Sequence, residues 1–337
     1  MSEEMREAPP APAVVAVTGA SGFLGSHLVR AVLDRGGRVR AVGRKEGTVH
    51  AVPVAAAGEN LQDLSPEMLL GADVLIHCAA RVHQQHEEKI EPRKLHELYL
   101  AANVDAALQA ARAACKAGVR RFVFVSTVHV HAQATAAGVE VTAHSAFAPA
   151  SPYAKSKLAV EHALTEFCRD TGLELVIVRP PLVYGAGVKA KFARLADWVA
   201  SGRLLPFGAL DRNRRSFVSV GNLVDFLLLV SRHELAAGRA WLVADAEPVS
   251  TAGLIEALAR ASGARVRNLN VPTWLLKPLL TLVGRGSVLK VLDTSLALDI
   301  SENAQVLGWR PRQTMTEALG ELFDQRRAPH DISSCGE

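Results

Sequence analysis

Val14-Val15-Ala16-Val17-Thr18-Gly19-Ala20-Ser21-Gly22-Phe23-Leu24-Gly25 is the stretch that decides the fold. Its first four residues are an all-apolar run, the pattern of a parallel strand buried on both faces. Glycines follow as G-x-x-G-x-x-G, and Ser26 to Asp34 carry Leu28, Val29, Val32 and Leu33 at helical spacing before Gly36-Gly37 closes the segment. Arg38 to Val42 reads as a second strand. Strand, glycine turn, helix and strand together predict a dinucleotide-binding unit. Gly19 lets the chain reverse, Gly22 lets the backbone approach a pyrophosphate, and Gly25 lets the helix lie close to the sheet. Backbone N–H groups at the helix start then face the phosphates. The plainer reading is a glycine-rich turn without a ligand; the flanking strand and helix favour the ligand.

Working outward, the 337 residues are 49% hydrophobic and 21% charged, which excludes global disorder. The net charge of +4 is too small for a dedicated nucleic-acid binder and suits a pocket for an anionic small molecule. Cys78, Cys115, Cys168 and Cys335 lie far apart, without metal-ligand spacing, so no metal site is expected and a reducing cytoplasm fits. Met1 to Ala13 reads as a disordered tail without the character of a signal peptide. The apolar stretches Leu223–Val230 and Val271–Val283 are short or broken by Asp225, Lys277 and Pro278, against the ~20 residues needed to cross a bilayer. No stable membrane insertion is expected.

Further strands are expected at Asp73–His77, Arg121–Val125 and Leu175–Val178, with a helix over Leu95–Ala117. Ser151-Pro152-Tyr153-Ala154-Lys155-Ser156-Lys157 opens another helix, with Leu158, Val160 and Leu164 on its apolar face. Tyr153 and Lys157 are four apart and share one face of it. Tyr-x-x-x-Lys alone is a common surface pair. The order matters more: glycine turn, then a strand ending in Ser126-Thr127, then Tyr-x-x-x-Lys at a helix start. A phenol with an ordinary pKa near 10 is a poor base at neutral pH, and adjacent cations favour its phenolate. Lys157 and a nicotinamide ring are the cations expected to act on Tyr153.

These motifs resemble the extended branch of the short-chain dehydrogenase/reductase superfamily, the NAD-dependent epimerases and dehydratases, from about Val14 to about Leu319. The resemblance implies an α/β fold: a doubly wound parallel (Rossmann) sheet with a smaller C-terminal substrate lobe. Residues 14–180 would form the dinucleotide core and 181–325 mainly the lobe, with a return to the core and a tail over 326–337. It also implies Thr127, Tyr153 and Lys157 as catalytic residues. Thr127 is chosen over Ser126 because Val128-His129-Val130-His131-Ala132 stands where the family has x-x-Val-Tyr-Gly. Cofactor contacts are implied at Gly19, Gly22, Phe23, Leu24, Gly25, Ala79 and Ala80 (in the His77-Cys78-Ala79-Ala80 stretch), Tyr153, Lys157 and Pro180.

The second strand ends Val42-Gly43-Arg44-Lys45, with glycine where an NAD-selecting acid is expected and a guanidinium after it. Arg44 is therefore a candidate partner for a 2′-phosphate, and the cofactor is NAD or NADP with a lean to NADP. Arg179-Pro180-Pro181-Leu182-Val183-Tyr184-Gly185 is similar to the family's segment leading into the substrate lobe, although many sugar epimerases have Asn at the Leu182 position. Arg215, in Arg214-Arg215-Ser216-Phe217-Val218, is implied as a partner of the substrate diphosphate, with Lys189 and Phe192 lining the lobe and Phe192 offering a stacking face. The activity implied is NAD(P)-dependent epimerisation of a UDP-sugar at C4. The alternatives are reduction of a UDP-4-keto-6-deoxy-N-acetylhexosamine and a non-catalytic NAD(P)-binding sensor or scaffold. A homodimer is common in the family.

Overall fold

In a computed structural model, which describes residues 14–81, 90–266, 268–272, 274–276, 278 and 292–327, the opening run becomes strand β1 (Val14–Thr18), buried along its whole length. Helix α1 (Phe23–Asp34) begins three residues earlier than the periodicity suggests. Gly22 takes the extended N-cap conformation and the glycine turn feeds directly into the first helical turn. Then come β2 (Arg38–Gly43), a hairpin of β3 (Gly47–Val49) and β4 (Val52–Ala56), and β5 (Val74–His77). The hairpin escaped the pattern reading because its strands are short, and its turn is made by His50 and Ala51 at φ 48° and 63° rather than by glycine.

The expected single helix over 95–117 is a compound one. Helix α2 (Pro92–Leu100) passes through a π turn (Ala101–Asp105) into α3 (Ala106–Lys116), starting at a proline that suits a first helical turn. Strand β6 (Arg121–Val125), β7 (Glu140–Val141), α4 (Pro152–Thr171), β8 (Glu174–Arg179), β9 (Leu182–Tyr184), α5 (Ala190–Ala200), β10 (Phe217–Ser219), α6 (Val220–Val230) and β11 (Arg239–Leu242) follow. The chain continues through α7 (Thr251–Ser262), β12 (Ala297–Leu298), α8 (Ser301–Leu307) and α9 (Met315–Arg327). Arg326 and Arg327, expected to begin a tail, are the last turn of α9, a cationic end that suits the helix dipole. The 1–13 tail, residues 328–337 with Cys335, and most of the apolar 271–283 stretch lie outside the described residues.

The main sheet has eight strands in the order β11-β8-β6-β5-β1-β2-β4-β3. Strands β1, β2, β4, β5, β6 and β8 pair in parallel, and β3 alone is shown to run against its neighbour. Chain order reverses at β1, between β2 on one side and β5 on the other. That is the switch point where the C-terminal ends of parallel strands leave a crevice. This is the doubly wound α/β fold that the motifs imply.

By contacts the chain forms two units. The first takes the described residues of Met1–Thr127, Ser151–Val178 and Val224–Trp241. Its core joins Ala16, Leu75, Phe122 and Phe124 of the sheet to the alanine-rich face of α3 and to Val160 and Leu164 of α4. Small alanines at 106, 107, 110, 111, 113 and 114 let α3 lie close against its neighbours. Arg121, only 1% exposed, donates from Nη1 to the carbonyls of Val230 and His233 (2.8 Å each), satisfying acceptors at the end of α6.

The second unit takes the described residues of Val128–Ala150, Arg179–Leu223 and Leu242–Glu337. Its cores gather Tyr184, Phe192, Phe217, Leu258, Leu319 and Phe323 in one cluster and Val128, Val141, Leu242 and Leu298 in another. Two short parallel ladders, β9 with β10 and β7 with β12, tie distant stretches of its chain together.

Candidate active site

Backbone sterics shape the glycine turn. Gly19 sits at φ 70°, a conformation other residues resist, and a Cβ there would stand 3.0 Å from Ala79 N. A Cβ on Gly25 would lie 2.1 Å from Gly19 O and 2.8 Å from Ala20 Cα, so any side chain would push α1 off the turn. Gly22 gives α1 no side-chain cap. The first-turn N–H groups are thus left to be met by something other than the N-cap side chain, the arrangement that favours an anion. Ala79 and Ala80 follow β5 after Cys78, and Gly19 lies against the first of them. The turn at the end of β1 and the small residues at the end of β5 therefore meet at the switch point. This cradle fits a dinucleotide.

In the same unit, α4 presents the tyrosine and lysine. Ser151 caps the helix by accepting from Ala154 N at 3.1 Å, and Pro152 fixes its first turn. Lys157 is 3% exposed; its Nζ donates to Val125 O (2.7 Å) and lies 4.5 Å from the centre of the Phe124 ring. The ammonium is thereby moored to the end of β6, two residues before Thr127. Burial pushes its pKa down to about 8, against an upward pull from Cys78 and Glu161. Tyr153, one turn earlier on α4, meets Tyr99 edge-on at 6.1 Å, and burial pushes its phenol up to about 12. Desolvation is the cause that sets this direction, since it disfavours the charged phenolate.

Two polar brackets hold the helix. Asn103, buried in the π turn, accepts from Arg81 N (2.8 Å) and donates to Ser156 Oγ (2.9 Å), which donates to Tyr153 O (2.8 Å). Ser126 Oγ donates to the buried Glu161 carboxylate. That bond occupies Ser126 and separates it from Thr127, which is 6% exposed at the strand end. His77 is buried with its Nδ1 2.9 Å from Thr18 Oγ1, and burial pushes its pKa down to about 3. It is a neutral structural residue.

The cofactor-selecting corner lies at the end of β2. A Cβ on Gly43 would stand 2.8 Å from Val54 Cγ1 of β4, so the sheet itself fills the place where an acid would start. Arg44 is exposed and makes a 3.5 Å contact with Glu59, also exposed. Such a pair contributes little.

In the second unit, Arg215 is half-buried. Its Nη1 donates to Thr294 Oγ1 (2.8 Å) and Thr294 O (3.2 Å), and its backbone bridges Val249 and Leu296. Burial lowers its pKa, and its charge helps burial to keep the pKa of His129 low. Lys189 is the exposed N-cap of α5. Pro180, between β8 and β9, accepts from Val128 N at 2.9 Å. Phe192 departs from expectation: it is 5% exposed in the lobe core, tilted against Tyr184 at 5.5 Å, so its face is used in packing rather than open to a base.

One buried network was not foreseen. Tyr184 Oη donates to Asp245 Oδ2 (2.7 Å), while Asp245 Oδ1 accepts from Ser219 N (3.0 Å) and Asn222 Nδ2 (2.7 Å). Asn222 Oδ1 accepts in turn from Arg312 N and Gln313 N. The only signal for it was the pair of polar residues Asn222 and Asp245 beside apolar runs. Burial raises the Asp245 pKa against the hydrogen bonds that lower it.

Comparison with known proteins gives a consistent picture. The profile of the NAD dependent epimerase/dehydratase family matches residues 15–244. A UDP-glucose 4-epimerase of Vibrio cholerae is 34% identical over 314 residues, covering 91% of this chain and 94% of that protein. Among solved structures, a UDP-glucose 4-epimerase of Thermotoga maritima with UDP-glucose superimposes with a TM-score of 0.71 at 21% identity, covering 93% of this chain and 98% of that one. A UDP-glucuronic acid 4-epimerase of Bacillus cereus in complex with NAD gives 0.71 at 19% identity, covering 93% and 96%. At these identities the two structures speak to the fold. Among the described residues no helix is long and apolar enough to cross a membrane.

Proposed function

We infer the chemistry from one premise: the chain belongs to the NAD dependent epimerase/dehydratase family and is an enzyme of that type. On that premise it is a nucleotide-sugar epimerase that works at C4 of a UDP-hexose. The observation carrying this reading is the tyrosine helix moored by Lys157 to the strand that leads to Thr127, in a chain 34% identical over nearly its whole length to a UDP-glucose 4-epimerase.

Within the first unit, Gly19, Gly22, Phe23, Leu24, Gly25, Ala79 and Ala80 would hold the dinucleotide. When bound, a nicotinamide dinucleotide supplies the hydride carrier and, oxidised, a positive ring that favours a nearby phenolate. Tyr153 takes the proton from the C4 hydroxyl and returns it to the same oxygen. Thr127 holds that oxygen with its hydroxyl. Lys157 keeps a positive charge on the Tyr153 face of α4 below about pH 8. In the second unit Arg215 offers a guanidinium to the substrate diphosphate, with Lys189 as a further cation.

A second reading rests on a specific observation, the absent acid at Gly43 followed by Arg44. A guanidinium there favours NADP(H), and a net reductase of a UDP-4-keto-6-deoxy-N-acetylhexosamine gains from that preference because it consumes reduced nucleotide at each turnover.

Purified protein incubated with UDP-glucose, without added nucleotide, separates the two. Formation of UDP-galactose with no net change in reduced nucleotide is expected. Inactivity there, together with NADPH oxidation by the 4-keto sugar, overturns the epimerase in favour of the reductase.

A further inference from the structure

Ten large apolar side chains stand exposed among the described residues, and four of them, Leu204, Leu269, Trp274 and Leu275, gather on one part of the second unit. Leu205 bridges Asn268 in parallel, Leu269 N donates to Leu205 O (2.7 Å), and Gly208 N donates to Leu269 O (3.0 Å). Side chains alternate along such paired segments. Leu205 is buried, so Leu204 and Leu269, each one position off the bridge, share the outward face. In the turn that follows, Pro272 O accepts from Leu275 N and Leu276 N. Leu276 is fully buried in the core cluster with Phe207 and Leu258, which fixes the turn and leaves Trp274 71% exposed beside Leu275.

The charge around this apolar face is largely of one sign. Residues 198–210 and 257–278 contain five Lys and Arg and no Asp or Glu, and Arg203, Arg260 and Arg265 are exposed. A Cβ on Gly202 would stand 3.8 Å from Arg265 O, and Arg260 and Arg265 line one shallow depression with Glu256. Of the bordering acids, Asp197 is paired with Arg326 and Asp211 is followed by Arg212, which leaves Glu256 against the three arginines. A tryptophan among leucines with a basic rim is the composition of a surface that lies in the headgroup layer of an anionic bilayer. A second copy of this chain would set arginines against arginines, which is costly.

We propose that this face of the second unit is a peripheral docking surface for an anionic phospholipid bilayer, with Trp274 at headgroup level and the arginines toward the lipid phosphates. The contact is superficial, since among the described residues no helix is long and apolar enough to cross a membrane. It is independent of which sugar the enzyme turns over.

The test is co-sedimentation of the full chain with vesicles of phosphatidylglycerol and phosphatidylcholine in equal parts, and with vesicles of phosphatidylcholine alone. The wild-type chain is expected to pellet with the anionic vesicles and to be released as salt rises. Trp274→Ser should weaken that binding roughly tenfold, the effect of withdrawing most of one large apolar side chain from the interface. Arg203→Gln with Arg265→Gln should weaken it by a similar factor. Brominated lipid gives a readout that needs no variant: Trp241 and Trp309 are buried and Trp198 packs on Phe207, so quenching of the wild-type fluorescence reports chiefly on Trp274. Failure to pellet with the anionic vesicles, equal pelleting of Trp274→Ser and wild type, or absence of quenching overturns the proposal. So does a wild-type dimer in sedimentation velocity that Trp274→Ser dissociates, which assigns the face to a second copy of the chain.

Discussion

Lys157 and Arg215 are both cations drawn out of water, yet they are held by different means. Lys157 rests on a main-chain carbonyl of the adjacent strand and on the face of Phe124, contacts that the sheet and α4 provide as a matter of regular geometry. Arg215 rests on Thr294, 79 residues further along the chain, in a unit whose ladders are only two or three residues long. Elsewhere in that unit, polar groups are kept in place by other polar groups, as in the Tyr184–Asp245–Asn222 network. The first arrangement is rigid because the backbone sets it. The second is rigid only while every partner is present, which makes it the easier one to remodel for a different substrate.

The comparison can be broken most directly at the phenol. Tyr153→Phe keeps the ring against Tyr99 and removes only the hydroxyl, so turnover of UDP-glucose should drop roughly 10²–10⁴-fold while nucleotide binding persists. Near-normal turnover would show that the moored helix is not where the proton moves. In the second unit, Asp245→Ala leaves the Tyr184 hydroxyl, the Ser219 N–H and the Asn222 amide without their acceptor. A loss of about 2–4 kcal/mol in chemical denaturation is expected, since each abandoned buried donor costs about 1–3 kcal/mol before relaxation. A change below about 0.5 kcal/mol would contradict the interdependence argued for this unit.

The finest test concerns Lys157. Its pKa is lowered from 10.5 to about 8, so between those values the folded chain has released a proton that the unfolded chain still holds. Stability should therefore rise with pH across that window, by up to about 3 kcal/mol, and the full cost of the buried charge stands below about pH 8. In Lys157→Met this rise disappears. Denaturation curves of both proteins at pH 8 and pH 10.5 give the difference; parallel pH profiles would mean that the ammonium is better solvated than its burial implies.

How much of this was legible follows the same division. The glycine turn, the buried strands and the Tyr-x-x-x-Lys helix were readable because their determinants lie within a few residues of one another. The β3–β4 hairpin was not, since a left-handed His-Ala turn carries none of the Asn-Gly signal. The π turn escaped because one extra residue inside an apolar periodicity hardly disturbs it. Phe192 was misread because an aromatic residue near a binding segment looks the same in sequence whether its ring faces ligand or core. The network at Asp245 joins positions 23 to 61 residues apart, and no local pattern encodes such pairings.

Asn103 clasps the peptide of Arg81 on one side and Ser156 on the other. Through Ser156, which donates to Tyr153 O, the same carboxamide joins the stretch after β5 and the π turn to the start of α4. Losing that one amide would loosen three separate stretches at once, which makes Asn103 a keystone for the peptide that carries the phenol.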